Sequence, residues 1–426
     1  MKKVTVMLAL VALVGNIANA ELLKNFKYDG KIQVNAYATN NTADNDADTQ
    51  DATSDVDTRV QVNMGFDLNE DVDAVVSLVK ENRQYGDTGT ANGENIDAIT
   101  LNSIFEQAYL NLKGVFGFDH KLGRQYYGNE GDLVVFYGPK GWPYPAKFGT
   151  TALDAYTGWY KTGKWSMHGV AGKALNLAGS VNEDDDTDLL GFVANYDLRE
   201  EIKLGAYVYE QKDYNDGAAD LTLDVVGVKA MGKIVGIDYT AELAKNYGHQ
   251  AAGVNYEGMG FLANAKYGMD LAGKITFMGE IARGSGDDNS TDDKVESFNA
   301  IASDYRPGIL WGANMAGLKT DGVTANSGLT TWNVGAMWTP SMAEKLDLCA
   351  KYVYLAPTED KLNGASIGYD TVGSEFDVAA TWNHSDNVKV KAYVAYFMPD
   401  KDYATASGST NDDAATMIGA AFKVKF

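Results

Sequence analysis

Apolar and polar residues alternate along this chain with a period of two. Val60, Val62, Met64, Phe66 and Leu68 fall on one parity, and Arg59, Gln61, Asn63 and Asp67 on the other. Such alternation gives a strand one apolar face and one polar face. After the turn Asn69-Glu70-Asp71 the pattern resumes, with Val72, Ala74, Val76 and Leu78 opposite Asp73, Ser77, Glu81 and Arg83. It returns at Leu190 to Leu198, Ile202 to Val208, Trp332 to Trp338, Phe376 to Trp382 and Val388 to Tyr396. At the end of the sequence Ile418, Ala420, Phe422, Val424 and Phe426 alternate with Met417, Gly419, Ala421, Lys423 and Lys425. Residues 165–177 and 250–270 are rich in Gly and Ala, and there the parity is not assignable.

The connections alternate in length. Short turns fall near 69–71, 113–117, 161–164, 199–201, 232–235, 270–273, 340–345 and 384–387. Long, polar, often acidic loops fall near 40–56, 84–99, 127–149, 178–188, 212–220, 246–259, 284–328, 357–372 and 399–412. Long loops joined by short turns predict about eighteen antiparallel strands with both termini on the short-turn side. The expected fold is all-β: a transmembrane up-and-down barrel with short periplasmic turns and long extracellular loops.

Composition and the N-terminus place that barrel. Lys2 and Lys3, the apolar run Val4 to Val14, and Ala18-Asn19-Ala20 form a secretory signal over residues 1–20, leaving 21–426 as the barrel domain. No later run is apolar enough for a membrane helix. The 25 Tyr, 7 Trp and 15 Phe suit the aromatic girdles of an outer-membrane barrel. A net charge of −22 argues against nucleic acid as a partner. Cys349 is alone, so neither a disulfide framework nor a cysteine zinc site is available.

A barrel of this size is too wide for its side chains to fill and encloses water. The inward parity is accordingly polar. It includes Lys31, Arg59, Arg83, Lys351, Lys389 and Lys391 near the expected seam, with Lys423 and Lys425. Asp154, Asp197, Asp224, Asp238, Glu242 and Glu280 lie on the middle strands. This predicts one basic wall facing an acidic one, a field that sorts solutes by charge. Loop 127–149 is the candidate constriction. It carries Leu133-Val134-Val135-Phe136, then Tyr137, Trp142 and Tyr144, stiffened by Pro139, Pro143 and Pro145. Two placements stay open for it, inside the lumen or as a lid packed on other loops. Loop 284–328, with Phe298 and Tyr305 to Trp311, is the second candidate.

Other chemistry is weak. Ser166 and His168 share a strand face, which would suit a lipid hydrolase only if they faced lipid near an interface; an interfacial His168 without a partner is the plainer reading. Asp44-x-Asp46-x-Asp48 opens like a calcium loop but lacks the turn Gly and the closing Glu. No cofactor and no metal are implied.

Two segments carry a family resemblance. Phe105 to Gln125, FEQAYLNLKGVFGFDHKLGRQ, and Val372 to Pro399, VGSEFDVAATWNHSDNVKVKAYVAYFMP, resemble outer-membrane barrels of the alginate-export type. The resemblance implies an eighteen-stranded porin with a charged lumen, and Arg124 is the residue that matches its motif. The expected function is passive diffusion of small hydrophilic or charged solutes, without enzymatic activity. A blocked surface barrel with an adhesive role and a polysaccharide export conduit are the alternatives. The expected partners are outer-membrane lipid, small solutes or ions, the barrel-assembly machinery through the terminal strand ending at Phe426, and further copies of the chain.

Overall fold

The computed structural model describes residues 25–42, 44–82, 105–139, 152–175, 186–214, 221–251, 253–311, 318 and 327–426. The expected signal at 1–20, and Arg83, Trp142 and Tyr144, lie outside the described residues.

The alternating segments form a closed antiparallel barrel of 18 strands. They are β1 Phe26–Asn40, β2 Thr53–Asp67, β3 Val72–Asn82, β4 Phe105–Val115, β5 Phe118–Gln125, β6 Leu153–Thr162, β7 Trp165–Leu175, β8 Thr187–Arg199, β9 Ile202–Asp213, β10 Leu221–Ile234, β11 Ile237–Ala251, β12 Met259–Asp270, β13 Gly273–Gly284, β14 Leu329–Pro340, β15 Leu346–Pro357, β16 Gly373–Asn383, β17 Val388–Pro399 and β18 Ala415–Lys425. Each strand pairs with the next, and β18 pairs with β1 from Lys31↔Lys425 to Asn40↔Thr416. Closure leaves no strand edge for hydrocarbon to meet.

The outward parity is the one read from sequence. Leu190 is 56% exposed, Val228 55%, and Ile418 62%, as apolar residues on a lipid-facing wall should be. Aromatic rings gather at both ends of the strands. Phe26 lies 5.3 Å from Phe66, and Trp165 4.8 Å from Tyr196, near the short turns. Trp332 stacks on Tyr354 at 5.6 Å at the opposite end. Two short turns, Phe116-Gly117 and Val235-Gly236, have positive φ at both residues, the conformation whose twist matches a tight hairpin.

The two segments with unassignable parity are β7 and β12. Their inward faces include Gly172 and Gly260. Gly172 faces the backbone of Asp154 and Ala155, and Gly260 faces the ring of Phe298. Close packing against the inner face requires glycine there, and glycine carries no hydropathy signal. A short helix, α1 Lys401–Ala406, sits in the last extracellular loop, capped by Asp400 accepting from the Asp402 N–H at 2.9 Å.

At the seam, the Gly30 N–H donates to the Phe426 carbonyl at 2.8 Å and the Phe426 N–H to the Gly30 carbonyl at 3.0 Å. The Phe426 ring occupies the space a Gly30 side chain would fill, and a Cβ there would also lie 2.8 Å from the Gln61 carbonyl oxygen. Gly30→Val should therefore cost about 1–3 kcal/mol by overpacking. The check is the folded fraction on heat-modifiability gels: it falls for Gly30→Val and is unchanged for Gly65→Ala, whose nearest neighbour would be 3.8 Å away.

Candidate functional site

Two extracellular loops fold inward and divide the lumen. The first, residues 126–139, forms a small hairpin in which Tyr127–Gly128 pairs with Phe136–Tyr137. Its Tyr127 hydroxyl lies 3.0 Å from His168 Nε2 on β7 and 3.1 Å from the Tyr209 hydroxyl on β9. Its Asp132 pairs with Lys229 of β10 at 3.2 Å. The second inserted segment, residues 297–311, is fixed to β11 by Asn246. The Asn246 side chain accepts from the Asn299 N–H at 2.7 Å and donates to the Asn299 carbonyl at 2.9 Å. The Tyr305 hydroxyl donates to Glu280 of β13 at 3.0 Å. The two insertions are joined. The Phe136 N–H donates to the Ala302 carbonyl at 2.7 Å, the Ala302 N–H to Val134 at 2.9 Å, and the Gly131 N–H to the Asp304 carboxylate at 3.0 Å.

This settles the placement left open for loop 127–149: its described part lies in the lumen. It also corrects the expectation of a uniformly polar inward face. From β6 to β15 each strand turns an apolar residue inward at the level of the loops: Leu153, Val170, Leu189, Tyr209, Val225, Ala244, Leu262, Ala282, Leu329 and Val353. Leu133, Val134, Val135 and Phe298 bury against them, at 0–3% exposure. The loops thus have a dry core of their own inside the barrel, with hydrophobic burial as its driving force. The signal was available: Leu189-Leu190 and Val225-Val226 are adjacent apolar pairs, which a strand with one wet face does not need.

The far end of the second segment is held by carboxylates. Glu375 of β16, 0% exposed, accepts the N–H of Ile309 at 2.7 Å and of Leu310 at 2.8 Å on Oε1, and of Trp311 at 3.0 Å on Oε2. Asp377 accepts the Ile309 N–H at 3.3 Å, and Lys351 Nζ donates to the Pro307 carbonyl at 2.7 Å. Ile309 then packs on Tyr37, Tyr393 and Met417 of the seam strands, and Trp311 on Phe397 at 4.6 Å. Residues 299–311 therefore cross the lumen as a strap from β11 to β16.

The residues singled out from sequence take different places. Lys31, Arg59, Lys351, Lys389, Lys391, Asp238 and Glu242 lie on the inward parity. Arg59 is buried at 1% and pairs with Glu106 at 2.6 Å. Glu106 was not singled out because a bulge opposite Ser77 and Leu78 turns it inward against its parity. Lys351 is engaged by the strap, 3.8 Å from Asp377. Glu242 accepts from the Tyr207 hydroxyl at 2.7 Å and pairs with Lys229 at 3.2 Å. Asp238 sits at the short-turn rim, 3.4 Å from Lys233. Phe136 and Tyr137 are buried within the inserted hairpin.

Arg124 departs from expectation. It lies on the outward parity near the extracellular rim and pairs with its outward cross-strand neighbour Asp154 at 2.9 Å. Asp154 and Asp224 are likewise outward rather than in an acidic inner wall, because Leu153 and Val225 take the inward places beside them. Lys173 extends this outer strip to Asp186 at 2.6 Å and Asp188 at 3.0 Å. His168 faces the lumen with a partner, not lipid. Asp46 accepts from Thr410 at 2.5 Å and Asn411 at 2.7 Å, which clasps the first and last extracellular loops and holds its carboxyl below the usual range.

A row of four lysines stays basic on the seam strands. Lys389 and Lys423 are direct cross-strand partners, as are Lys31 and Lys425. Among the described residues none of these four forms an ion pair with a carboxylate. Glu130, on the inserted hairpin, interacts electrostatically with Lys31 and Lys423 across the gap. The site is a passage between the inserted loops and a cationic wall.

These features define a porin-type outer-membrane barrel. The sequence matches the family described as "Alginate export" over residues 30–416, and the chain belongs to that family. In fold it is similar to OccAB2 of Acinetobacter baumannii (12% identity, 96% of this chain and 99% of that one, TM-score 0.58). It is also similar to OccK9 (OpdG) of Pseudomonas aeruginosa (12%, 95% and 100%, 0.57) and to OprD of the same organism (9%, 95% and 95%, 0.55). These neighbours are outer-membrane porins. No curated protein sequence matches the chain.

The Arg59–Glu106 pair has a measurable consequence. Arg59→Ala leaves a buried carboxylate without its partner and should cost about 3–5 kcal/mol. The double variant Arg59→Met, Glu106→Leu should recover most of that loss, as read from urea unfolding of the purified barrel.

Proposed function

We propose that the protein is a passive channel for small hydrophilic solutes, with a constriction that favours anions. The observation that carries this reading is the row Lys389, Lys423, Lys31 and Lys425. Like charges directly opposite on adjacent strands are destabilising, and here they stand on the inward parity toward the short-turn ends of β1, β17 and β18, beyond the level where Ile309 packs on Tyr37, Tyr393 and Met417. Such an arrangement costs stability and gains only a field in the passage. Arg59, Lys351 and Glu242 contribute as supports of the constriction. The lipid-facing wall and the terminal strand ending at Phe426 serve membrane insertion and assembly. No catalytic step is part of the reading.

A second reading, export of an anionic polysaccharide, draws on the family's description and on the same lysines. A chain of linked sugars must thread the strap, whereas small solutes need only pass beside it, so the first reading is preferred.

The test is current through single channels in a planar bilayer under a salt gradient. The wild type should conduct, with a reversal potential of anionic sign. Lys389→Glu combined with Lys423→Glu should shift the anion-to-cation permeability ratio toward cations by more than about fivefold, since even one reversed charge acts on a passing ion with about 1 kcal/mol at close range in water. A folded, inserted wild type without current overturns the reading.

A further inference from the structure

The lysine row does not account for the buried carboxylate on β16. Glu375 spends both oxygens on three consecutive backbone N–H groups of the strap. Its other surroundings are Asp377 and, through Asp377, Lys351. A barrel wall does not need this carboxylate, because the β16 backbone is already paired on both sides, with β15 and β17. Buried charge is expensive unless every lone pair is used, and the loop amides use these.

The strap's sequence is fitted to the carboxylate. A Cβ at Gly308 would lie 2.6–2.8 Å from the Glu375 carboxyl atoms, so only glycine lets the 308–311 backbone close on it. Pro307 supplies the carbonyl that Lys351 takes at 2.7 Å. Beyond this anchor Ile309 reaches the inward faces of β1, β17 and β18. The same strap is bonded at Ala302 and Asp304 to the hairpin that carries Glu130. Whatever fixes residues 307–311 therefore fixes the gap between that hairpin and the lysine row.

We infer that Glu375 is the positioning residue that sets the size limit of the channel, by anchoring the strap through the amides of Ile309, Leu310 and Trp311. The inference rests on the channel reading. Charge selectivity belongs to the lysines and size selectivity to the anchor, so the two should separate on mutation.

The experiment measures single-channel conductance, reversal potential and liposome swelling with neutral sugars of increasing size, for wild type, Glu375→Gln and Gly308→Ala. The glutamine can accept at one atom only and presents an amide N–H₂ to the strap amides. Gly308→Ala opens the same contact from the loop side and leaves every barrel strand untouched, so it serves even where the strand variant fails to fold. Both variants should raise conductance about twofold and admit sugars the wild type excludes, with the sign of the reversal potential unchanged. A conducting wild type with variants of identical conductance and sugar limit overturns this inference alone. A wild type that does not conduct overturns the channel reading on which it stands.

Discussion

An unpaired backbone N–H or C=O in hydrocarbon costs several kcal/mol, and that penalty governs the design of this chain. Eighteen strands satisfy it only because β18 returns to β1. The seam is correspondingly tight, down to a glycine that makes room for the Phe426 ring. Once the circle is closed, its circumference fixes the interior, which is wider than side chains alone can fill. Everything inside the barrel answers the question of what occupies that width.

The answer differs around the wall. From β6 to β15 the strands turn apolar residues inward at one level, and two extracellular loops bury Leu133, Val135 and Phe298 against them. These loops are then tied by specific polar contacts, Asn246 at one end and Glu375 at the other. Apolar burial brings the loops in, and the buried hydrogen bonds fix their register, since each unmade bond there would leave a desolvated group. Toward the short turns of the seam strands Lys389, Lys423, Lys31 and Lys425 point inward and, among the described residues, form no ion pair, so water and counter-ions must fill the space beside them. One barrel thus combines a packed interior and a wet passage.

Much of this was legible in the sequence, and the limits are physical. Strand number, turn positions and the lipid-facing residues follow from period-two alternation, because lipid accepts only one polarity. The inner face has no such uniformity. Lys31 was inward by parity, whereas Glu106 turns inward through a bulge that parity cannot register. Arg124 was assigned to the lumen through a resemblance, and its strand in fact presents it outward beside Asp154, at the rim where charge is tolerated. Arg59 and Lys351 were right in direction, but nothing in their spacing revealed that Glu106 and Pro307 would occupy them. Such partners come from loops or irregular strands distant in sequence. The apolar loop at 133–136 announced a burial site without naming it, since a lid and a plug need the same residues.

The central claim is that the inserted loops pack dry against β6 to β15 while the lysine row of the seam strands faces water, and chemical accessibility tests it most directly. With Cys349 replaced by serine, single cysteines would be placed at Lys389, Lys423, Leu189 and Leu262 and exposed to a charged, membrane-impermeant thiol reagent on the folded, inserted barrel. The account predicts rapid modification at positions 389 and 423 and none at 189 and 262. Equal modification at all four would show an interior without a packed side, and would contradict the account.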